Sequence, residues 1–147
     1  MAHIKILITE DDPLLVKMYA DAFRNFGYDV ETAFDGEDGL KKLKAMEPKP
    51  TVILSDVMMP KMNGLDMLKK IKEDPGLKHI PVVMLTNLGG EDDAKRGLEL
   101  GAVTYLVKSE YTPKEIVEKM KEIIAGYSRN KAVPEVKTAI KDTHSSI

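Results

Sequence analysis

The chain alternates short apolar runs with longer segments in which apolar residues recur every three or four positions. The short runs have the length and β-branched content of strands, and the longer segments have the period of amphipathic helices. This alternation is typical of α/β proteins, in which helices cover both faces of a parallel sheet. We therefore predict a three-layer α/β sandwich with a doubly wound, five-stranded parallel sheet. The predicted strands are residues 4–8, 29–33, 52–54, 82–85 and 103–107.

Start and stop signals delimit the predicted helices. Asp12 followed by Pro13 is an N-cap signal for the first helix, which we expect to end at Gly27. Thr112 and Glu115 have the spacing of a capping box at the start of the fifth helix. The predicted apolar face of the first helix is Leu14, Leu15, Met18, Ala22 and Phe26, that of the fifth is Ile116, Met120, Ile123 and Ile124, and we assign Met18, Met46 and Met120 to the core.

The periodic pattern fades after Gly126. We predict one folded domain over residues 1–126 and a polar C-terminal tail over residues 127–147, flexible or partly helical. The segment PEVKTAIKD keeps open a short helix that binds a partner. In a chain of 147 residues, we expect no folded output domain after residue 126. Output is therefore expected to pass through a partner or through the tail.

The composition narrows the classes of function. Acidic and basic residues nearly balance at a formal net charge of -2, which argues against direct nucleic acid binding. The absence of cysteine excludes disulfides, thiolate zinc sites and cysteine nucleophiles. No apolar run approaches the roughly 20 residues that span a bilayer, and the first residues lack signal-peptide order. We expect a cytoplasmic protein without membrane contact.

Polar residues follow four of the predicted strands. Glu10 and Asp11 follow the first strand, Asp56 the third, Thr86 the fourth and Lys108 the fifth. The carboxyl ends of parallel strands lie on one edge of the sheet, so these side chains are predicted to meet there. Clustered carboxylates need a proton, a cationic side chain or a metal ion. With oxygen ligands and no cysteine or nearby histidine, the pattern points to Mg2+.

The same edge suggests phosphate chemistry. Mg2+ sites in proteins often combine one or two carboxylates with phosphate oxygens. Lys108 offers a positive charge and Thr86 a hydroxyl donor for a phosphoryl group. An aspartate carboxylate can itself be the nucleophile and form an acyl phosphate. Asp56 is therefore the candidate acceptor.

Each of these residues also has an ordinary interpretation. Asp12 is best explained as a helix N-cap rather than a metal ligand. Glu10 and Asp11 could simply favour the positive end of the first helix dipole. Thr86 could be a β-branched strand residue and Lys108 a solvated lysine. The functional interpretation is preferred because four separate strand ends carry complementary groups to one edge.

Four segments in a fixed order resemble the receiver domains of two-component response regulators. They are ILITEDDP, DVMMPKMNG, VVMLT and YLVKS, and the resemblance covers roughly residues 3–126. It implies a flavodoxin-like sheet with strand order 2-1-3-4-5, the order for which ligand sites lie at the switch point between strands one and three. By this resemblance, Asp56 is the phosphorylated residue, and Thr86 and Lys108 bind the phosphoryl group.

The resemblance also implies a metal site and a switch. The acidic pair Glu10 and Asp11, together with Asp56 and the main-chain carbonyl of Met58, would form the Mg2+ site. Tyr105, otherwise a half-exposed strand aromatic, would be the switch aromatic that responds to movement of Thr86. Two residues depart from the family pattern: Ser109 stands where a proline commonly follows the lysine, and Asn87 stands where a small residue follows the threonine.

The function implied is phosphorelay signalling. A sensor histidine kinase or phosphotransfer protein would donate a phosphoryl group to Asp56, and an unknown output partner would bind the face formed by the fourth helix, fifth strand and fifth helix. A phosphorylation-dependent dimer is a further possibility. The chain would be no turnover enzyme, but an acceptor with self-catalysed phosphorylation and dephosphorylation. Two alternatives stay open: an interaction module without phosphorylation, and an aspartyl-phosphate hydrolase, against which Met58 argues because it replaces the expected second acid.

Overall fold

The computed structural model describes residues 4–129, in which five strands alternate with five α-helices. All strand pairings are parallel, and the strand order is β2-β1-β3-β4-β5. The predicted doubly wound, flavodoxin-like fold is therefore confirmed. The elements in chain order are β1 (Lys5–Thr9), α1 (Pro13–Asn25), β2 (Asp29–Ala33), α2 (Gly36–Ala45), β3 (Val52–Asp56), α3 (Gly64–Glu73), β4 (Val82–Thr86), α4 (Glu91–Glu99), β5 (Thr104–Val107), a short 3-10 helix (Lys108–Glu110) and α5 (Pro113–Arg129).

The helices cover both faces of the sheet. Every residue of β3 and β4 is buried, as their continuous apolar runs predict. Helices α1 and α5 pack on one face, where the core includes Phe23, Leu54 and Ile116. Helices α2, α3 and α4 cover the other face, where Leu7 and Met67 are fully buried. The sheet is thus held between two apolar layers.

Two central strands extend further than the sequence predicts. The strand β3 ends at Asp56 and β4 ends at Thr86, so both polar residues are the last members of their strands. The ladder continues past Asp56, because the backbone N–H of Val57 donates to the carbonyl of Leu85 at 2.9 Å. The sheet itself therefore fixes the backbone of the two residues, rather than a loop.

The predicted helix starts are confirmed. The Asp12 carboxylate accepts hydrogen bonds from the backbone N–H groups of Leu14 and Leu15 at 2.9 and 3.3 Å. Thr112 and Glu115 form the capping box, with the Thr112 N–H donating to Glu115 at 2.8 Å and the Glu115 N–H donating to Thr112 at 3.2 Å. These contacts satisfy backbone donors that a helix leaves unpaired at its first turn.

The prediction for the buried face of α1 is wrong. Leu14, Met18 and Phe26 are 66%, 41% and 41% exposed, and Leu15 and Ala22 are only partly buried. A neighbouring stripe faces the sheet instead, formed by Val16, Tyr19, Ala20 and Phe23. Both stripes have a helical period, and the stripe that carries the two aromatic side chains buries the larger area. Met18 is thus not a core residue, whereas Met46 and Met120 are buried as predicted.

Helix α5 continues through Arg129, three residues beyond the predicted domain boundary at Gly126. Tyr127 packs partly against the core that α1 and α5 share, and its hydroxyl donates to the carbonyl of His79 at 3.4 Å. This contact ties the last turns of α5 to the loop before β4. The prediction of a flexible or partly helical tail falls mainly on residues 130–147, which lie outside the described residues. Within residues 4–129, no helix is long and apolar enough to cross a membrane.

The first residue of α3 approaches the backbone of β3 very closely. A Cβ atom on Gly64 would lie 2.0 Å from the carbonyl oxygen of Asp56 and 3.0 Å from its carbonyl carbon. The Gly64 N–H also donates to the carbonyl of Val57 at 2.8 Å. Only glycine fits here, because any side chain would collide with main-chain atoms that cannot rotate away.

We predict that Gly64→Ala lowers the free energy of unfolding by more than about 2 kcal/mol, because the added methyl group overpacks rigid backbone. Urea denaturation measures the change. Gly76→Ala is the matched control, since a Cβ at Gly76 meets only a side-chain oxygen of Asp74, at 3.3 Å. We expect less than about 1 kcal/mol for the control. Equal small effects for the two variants would contradict the close approach.

Candidate functional site

Four strands deliver polar side chains to one edge of the sheet. Glu10 directly follows β1, Asp56 ends β3, Thr86 ends β4 and Lys108 directly follows β5. Because β1, β3, β4 and β5 are adjacent in the sheet, these positions form a continuous row along its carboxyl edge. Glu10, Asp56 and Thr86 are among the few buried polar residues of the described chain.

Lys108 joins two buried carboxylates from different strands. Its ammonium nitrogen lies 2.7 Å from Oε1 of Glu10 and 3.1 Å from Oδ2 of Asp56. The side chains of Glu10, Asp56 and Lys108 are only 1%, 5% and 12% exposed. Ion pairs so well shielded from water are held by charge-assisted hydrogen bonds, and removing one partner leaves a costly unpaired charge.

Glu10 uses both of its carboxylate oxygens. While Oε1 accepts from Lys108, Oε2 accepts a hydrogen bond from the backbone N–H of Asp12 at 3.0 Å. Glu10 therefore holds the lysine and at the same time orders the start of α1. The carboxylate of Asp12 caps that helix, as predicted.

The donor set fits a magnesium ion. One carboxylate oxygen each from Glu10, Asp11 and Asp56 can be chosen so that all lie within 4.8 Å of one another. The ligands of octahedral Mg2+ stand about 2.1 Å from the ion, hence roughly 3 to 4 Å apart. Small side-chain movements would bring the three oxygens into that range. With Lys108 as the nearby cation, three carboxylates leave a charge of -2 for a divalent ion to balance.

The electrostatics of Asp56 are unusual. Burial, reinforced by the negative charge of Glu10, raises the pKa of Asp56 to about 7, although Lys108 and the backbone N–H of Met58 act in the opposite direction. The metal-free chain thus holds a fraction of Asp56 protonated near neutral pH. A cation entering the site would favour the ionised form, which is the form that can act as a nucleophile.

Lys108 stays charged in this setting. Burial alone would lower the pKa of its ammonium group, but the hydrogen bond to Glu10 and the charge of Asp56 outweigh that effect and leave the pKa raised. The lysine is followed by Ser109 rather than proline and begins a 3-10 turn. It nevertheless reaches both carboxylates, so the departure at Ser109 does not withdraw the cation from the site.

Thr86 is buried beside the same row, but its hydroxyl points into local contacts. It donates to the carbonyl of Asn87 at 3.3 Å. A Cβ atom on Gly90 would lie 2.5 Å from this hydroxyl oxygen, so a glycine before α4 leaves the space that the hydroxyl occupies. The role of Thr86 in binding a phosphoryl group stays a prediction, as does any effect of the exposed Asn87.

Met58 lies at the mouth of the site. Its backbone N–H donates a hydrogen bond to the Asp56 carboxylate, while its side chain is 59% exposed. The predicted metal contact through its main-chain carbonyl stays a prediction. Tyr105 of β5 is the register partner of Met84 of β4 and packs, partly buried, against the core under α2, α3 and α4. Burial first, then the charges of Glu91 and Glu110, raise the pKa of Tyr105.

Sequence reasoning missed three polar residues close to this row. Tyr19 on α1 is buried and feels the charges of Lys108, Glu10 and Asp56, with burial the main reason that its pKa is raised. Thr9 and Ser55 are fully buried one residue before Glu10 and Asp56. The signal was present in the sequence, where a hydroxyl residue stands between an apolar run and an acid in both ILITE and VILSD.

The raised pKa of Asp56 predicts a pH-dependent effect of Asp56→Asn on stability. A carboxyl group with a higher pKa in the folded chain stabilises folding while protonated, and this contribution is lost as pH rises from about 4 to about 7. In metal-free buffer, the native chain should therefore lose roughly 2 kcal/mol relative to Asp56→Asn between pH 5.5 and pH 8. Urea unfolding with a chelator at both pH values measures this difference. A constant difference between the two chains would contradict the raised pKa.

Comparison with known protein families agrees with this geometry. Residues 6–121 match the sequence model of the response regulator receiver domain. The chain is 36% identical over 124 residues to the chemotaxis protein CheY of Treponema pallidum, an alignment that covers 84% of each protein. It is 38% identical over 120 residues to the alkaline phosphatase synthesis transcriptional regulatory protein PhoP of Bacillus subtilis, covering 82% of this chain and 48% of PhoP. The chain thus spans about half the length of PhoP.

Solved structures show the same fold. The phosphorylated cyanobacterial phytochrome response regulator RcpA superposes with a TM-score of 0.75 at 32% identity, over 84% of this chain and 95% of RcpA. The chemotaxis response regulator CheY4 of Vibrio cholerae gives a TM-score of 0.70 at 28% identity, over 83% of this chain and 99% of CheY4. The sequence match and the shared fold, together with the row of polar residues at the carboxyl edge of the sheet, place this chain in the family of response regulator receiver domains.

Proposed function

We propose that this receiver domain is a phosphorylation-dependent switch in which Asp56 accepts a phosphoryl group. One observation carries the proposal: a buried carboxylate at the end of a central strand is paired at 3.1 Å with a buried lysine, within reach of two further carboxylates. A purely structural aspartate would not need this surrounding charge. A carboxyl group with a raised pKa that lies beside other carboxylates and a cation, as Asp56 does, is typical of a reactive site.

The proposed step is an in-line transfer from phosphohistidine. An ionised Asp56 oxygen attacks phosphorus and forms the O–P bond, while the N–P bond breaks and its electron pair returns to the donor imidazole. Lys108 neutralises the charge of the incoming phosphoryl oxygens, and Thr86 donates its hydroxyl after leaving Asn87. Asp11, Asp56 and the main-chain carbonyl of Met58, with Glu10 nearby, would hold Mg2+, which would supply further positive charge.

The proposed donor is a sensor histidine kinase or a phosphotransfer protein. An apolar groove of about 370 Å3 adjoins Lys108, and its lining includes Leu15, Met18 and Leu88. Leu88 and Met18 are 72% and 41% exposed. The surface of a partner protein could therefore make apolar contacts with the groove. A macromolecular donor fits this surface better than a small phosphate ester does. The proposed location is the cytoplasm, where the ATP used by kinases is held.

The proposed output is a change of surface. Phosphorylation adds a charge of roughly -1.5 to -2, which biases a two-state element. Movement of the Thr86 hydroxyl would free space beside Gly90 at the start of α4. The side chain of Tyr105 in β5 would then move in response. The face formed by α4, β5 and α5 would then bind a partner protein or a second copy of the chain. The chain is then not a turnover enzyme. It catalyses only the phosphorylation and dephosphorylation of its own Asp56.

An interaction module without phosphorylation is the second candidate. It requires the departures at Ser109 and Asn87 to disable the site, but Lys108 keeps both of its carboxylate partners despite Ser109. An aspartyl-phosphate hydrolase is disfavoured, because Met58 has no proton to donate where such an enzyme would carry its second acid. The receiver function needs no such exception.

We predict that acetyl phosphate with Mg2+ transfers one phosphoryl group to the native chain and none to Asp56→Asn, because the amide is not a nucleophile at this position. Intact-protein mass spectrometry measures the uptake. Asp12→Asn is the matched control, since asparagine also caps helices well and Asp12 lies outside the proposed acceptor site. Uptake by Asp56→Asn would place the acceptor elsewhere, and failure of the native chain to take up phosphoryl would favour the interaction module.

A further inference from the structure

Two hydroxyl side chains lie side by side in the interior of the sheet. Thr9 and Ser55 are register partners on β1 and β3, and both are 0% exposed. The Thr9 hydroxyl donates to the Ser55 hydroxyl at 2.7 Å. Most neighbours of the pair on these strands are apolar. Valine and alanine would fill such positions without the cost of burying polar groups, so the hydroxyls need another explanation.

The hydroxyl chain ends on the backbone of the phosphoacceptor. Ser55 donates its own hydroxyl to the main-chain carbonyl of Asp56 at 3.0 Å. Gly64 lies so close to the same carbonyl oxygen that a Cβ atom on Gly64 would be 2.0 Å from it. On the far end of this peptide unit, the Val57 N–H donates to Leu85 at 2.9 Å. The peptide between residues 56 and 57 is therefore held at both its oxygen and its nitrogen.

The Thr9–Ser55 pair lies directly before two acids of the candidate site. The residues that directly follow Thr9 and Ser55 are Glu10 and Asp56, the two carboxylates that share Lys108. Successive side chains of a strand point to opposite faces, so the hydroxyls lie on one face and the acids on the other. The Thr9–Ser55 bond thus joins β1 and β3 at the last pair before the acids.

We propose that Thr9 and Ser55 are positioning residues for phosphoryl transfer, acting through the Asp56 carbonyl on the phosphoacceptor at the end of β3 and on the following loop with Met58. The proposal rests on the proposed function of Asp56. A chain of two hydrogen bonds in a dry interior polarises both bonds in the same direction and resists rotation of the peptide. The orientation of that peptide determines where the Asp56 carboxylate and the next backbone groups face the metal site.

The test compares Ser55→Ala and Thr9→Val with the native chain in two measurements. The first is the autophosphorylation rate with acetyl phosphate at saturating Mg2+, and the second is the Mg2+ dissociation constant from amide NMR shifts of residues 57 and 58. Removing a partner that orients metal ligands costs about tenfold or more in affinity, so Ser55→Ala should lower the rate and weaken Mg2+ binding by about tenfold. Thr9→Val should have a smaller effect in the same direction, because Ser55 keeps its bond to Asp56.

Two further variants separate positioning from stability. Thr9→Ser keeps the hydroxyl and should restore native Mg2+ affinity and rate even if it loses some stability through the missing methyl group. Thr104→Val removes a buried hydroxyl on β5, away from the acids, and should change only stability. If Ser55→Ala leaves both rate and Mg2+ affinity within about twofold of native, the proposal is overturned. The same holds if Thr104→Val weakens them equally.

Failure of the proposed function gives a different result. If the native chain takes up no phosphoryl group, the acceptor assignment to Asp56 fails for reasons unrelated to Thr9 and Ser55. The Mg2+ titrations of the native chain and the variants then decide the positioning proposal alone. Unchanged Mg2+ affinity in Ser55→Ala would count against it in that case as well.

Discussion

The buried ammonium of Lys108 holds the functional edge of this protein together. It is carried by the residue after β5, yet its partners follow or end two other strands, β1 and β3. Burying these charges separately would be prohibitive, so each depends on the presence of the others. Burial, reinforced by the negative charge of Glu10, outweighs the effect of the single lysine and raises the pKa of Asp56 to about 7. The remaining negative charge of the three carboxylates suits the site to a divalent cation.

The backbone under this site is constrained as tightly as the charges. The carbonyl of Asp56 accepts a hydrogen bond from the Ser55 hydroxyl, and Gly64, the first residue of α3, leaves no room for a Cβ atom beside the same oxygen. Just beyond it, the Met58 N–H reaches back to the Asp56 carboxylate. A rigid peptide therefore precedes a loop in which Met58 is exposed, while Val57 and Met59 are buried. Rigid support beneath the Asp56 carboxylate holds that group in one orientation.

Much of this arrangement could be predicted from the sequence, because it depends on local signals. Continuous apolar runs identified β3 and β4, and the caps at Asp12 and Thr112 identified helix starts to within a residue. Acids and a lysine directly after strands were expected to meet, since parallel topology leaves them no other edge. Tertiary competition was harder to foresee. Two apolar stripes on α1 have the same period, and only packing shows that Phe23, not Phe26, faces the sheet.

The hydroxyl residues show a second limit of sequence reasoning. Threonine is common in strands because of its β-branched shape, so Thr9 looks like an ordinary strand residue in the sequence. Its role becomes visible only when its hydrogen-bond partner on the neighbouring strand is known. That partner, Ser55, is 46 residues away in the chain, and register alone brings them together. Tyr19 was missed for the same reason, because its hydroxyl gains meaning only beside Lys108. The roles of such residues depend on long-range contacts, which the sequence alone does not reveal.

The most direct measurement is a crystal structure of the chain with Mg2+ and beryllofluoride, a stable mimic of a bound phosphoryl group. The account predicts beryllium attached to a carboxylate oxygen of Asp56, with the Lys108 ammonium and the Thr86 hydroxyl within hydrogen-bond distance of its fluorine atoms. Beryllofluoride bound at another carboxylate, or a Lys108 side chain that stays out of contact with it, would contradict the central claim.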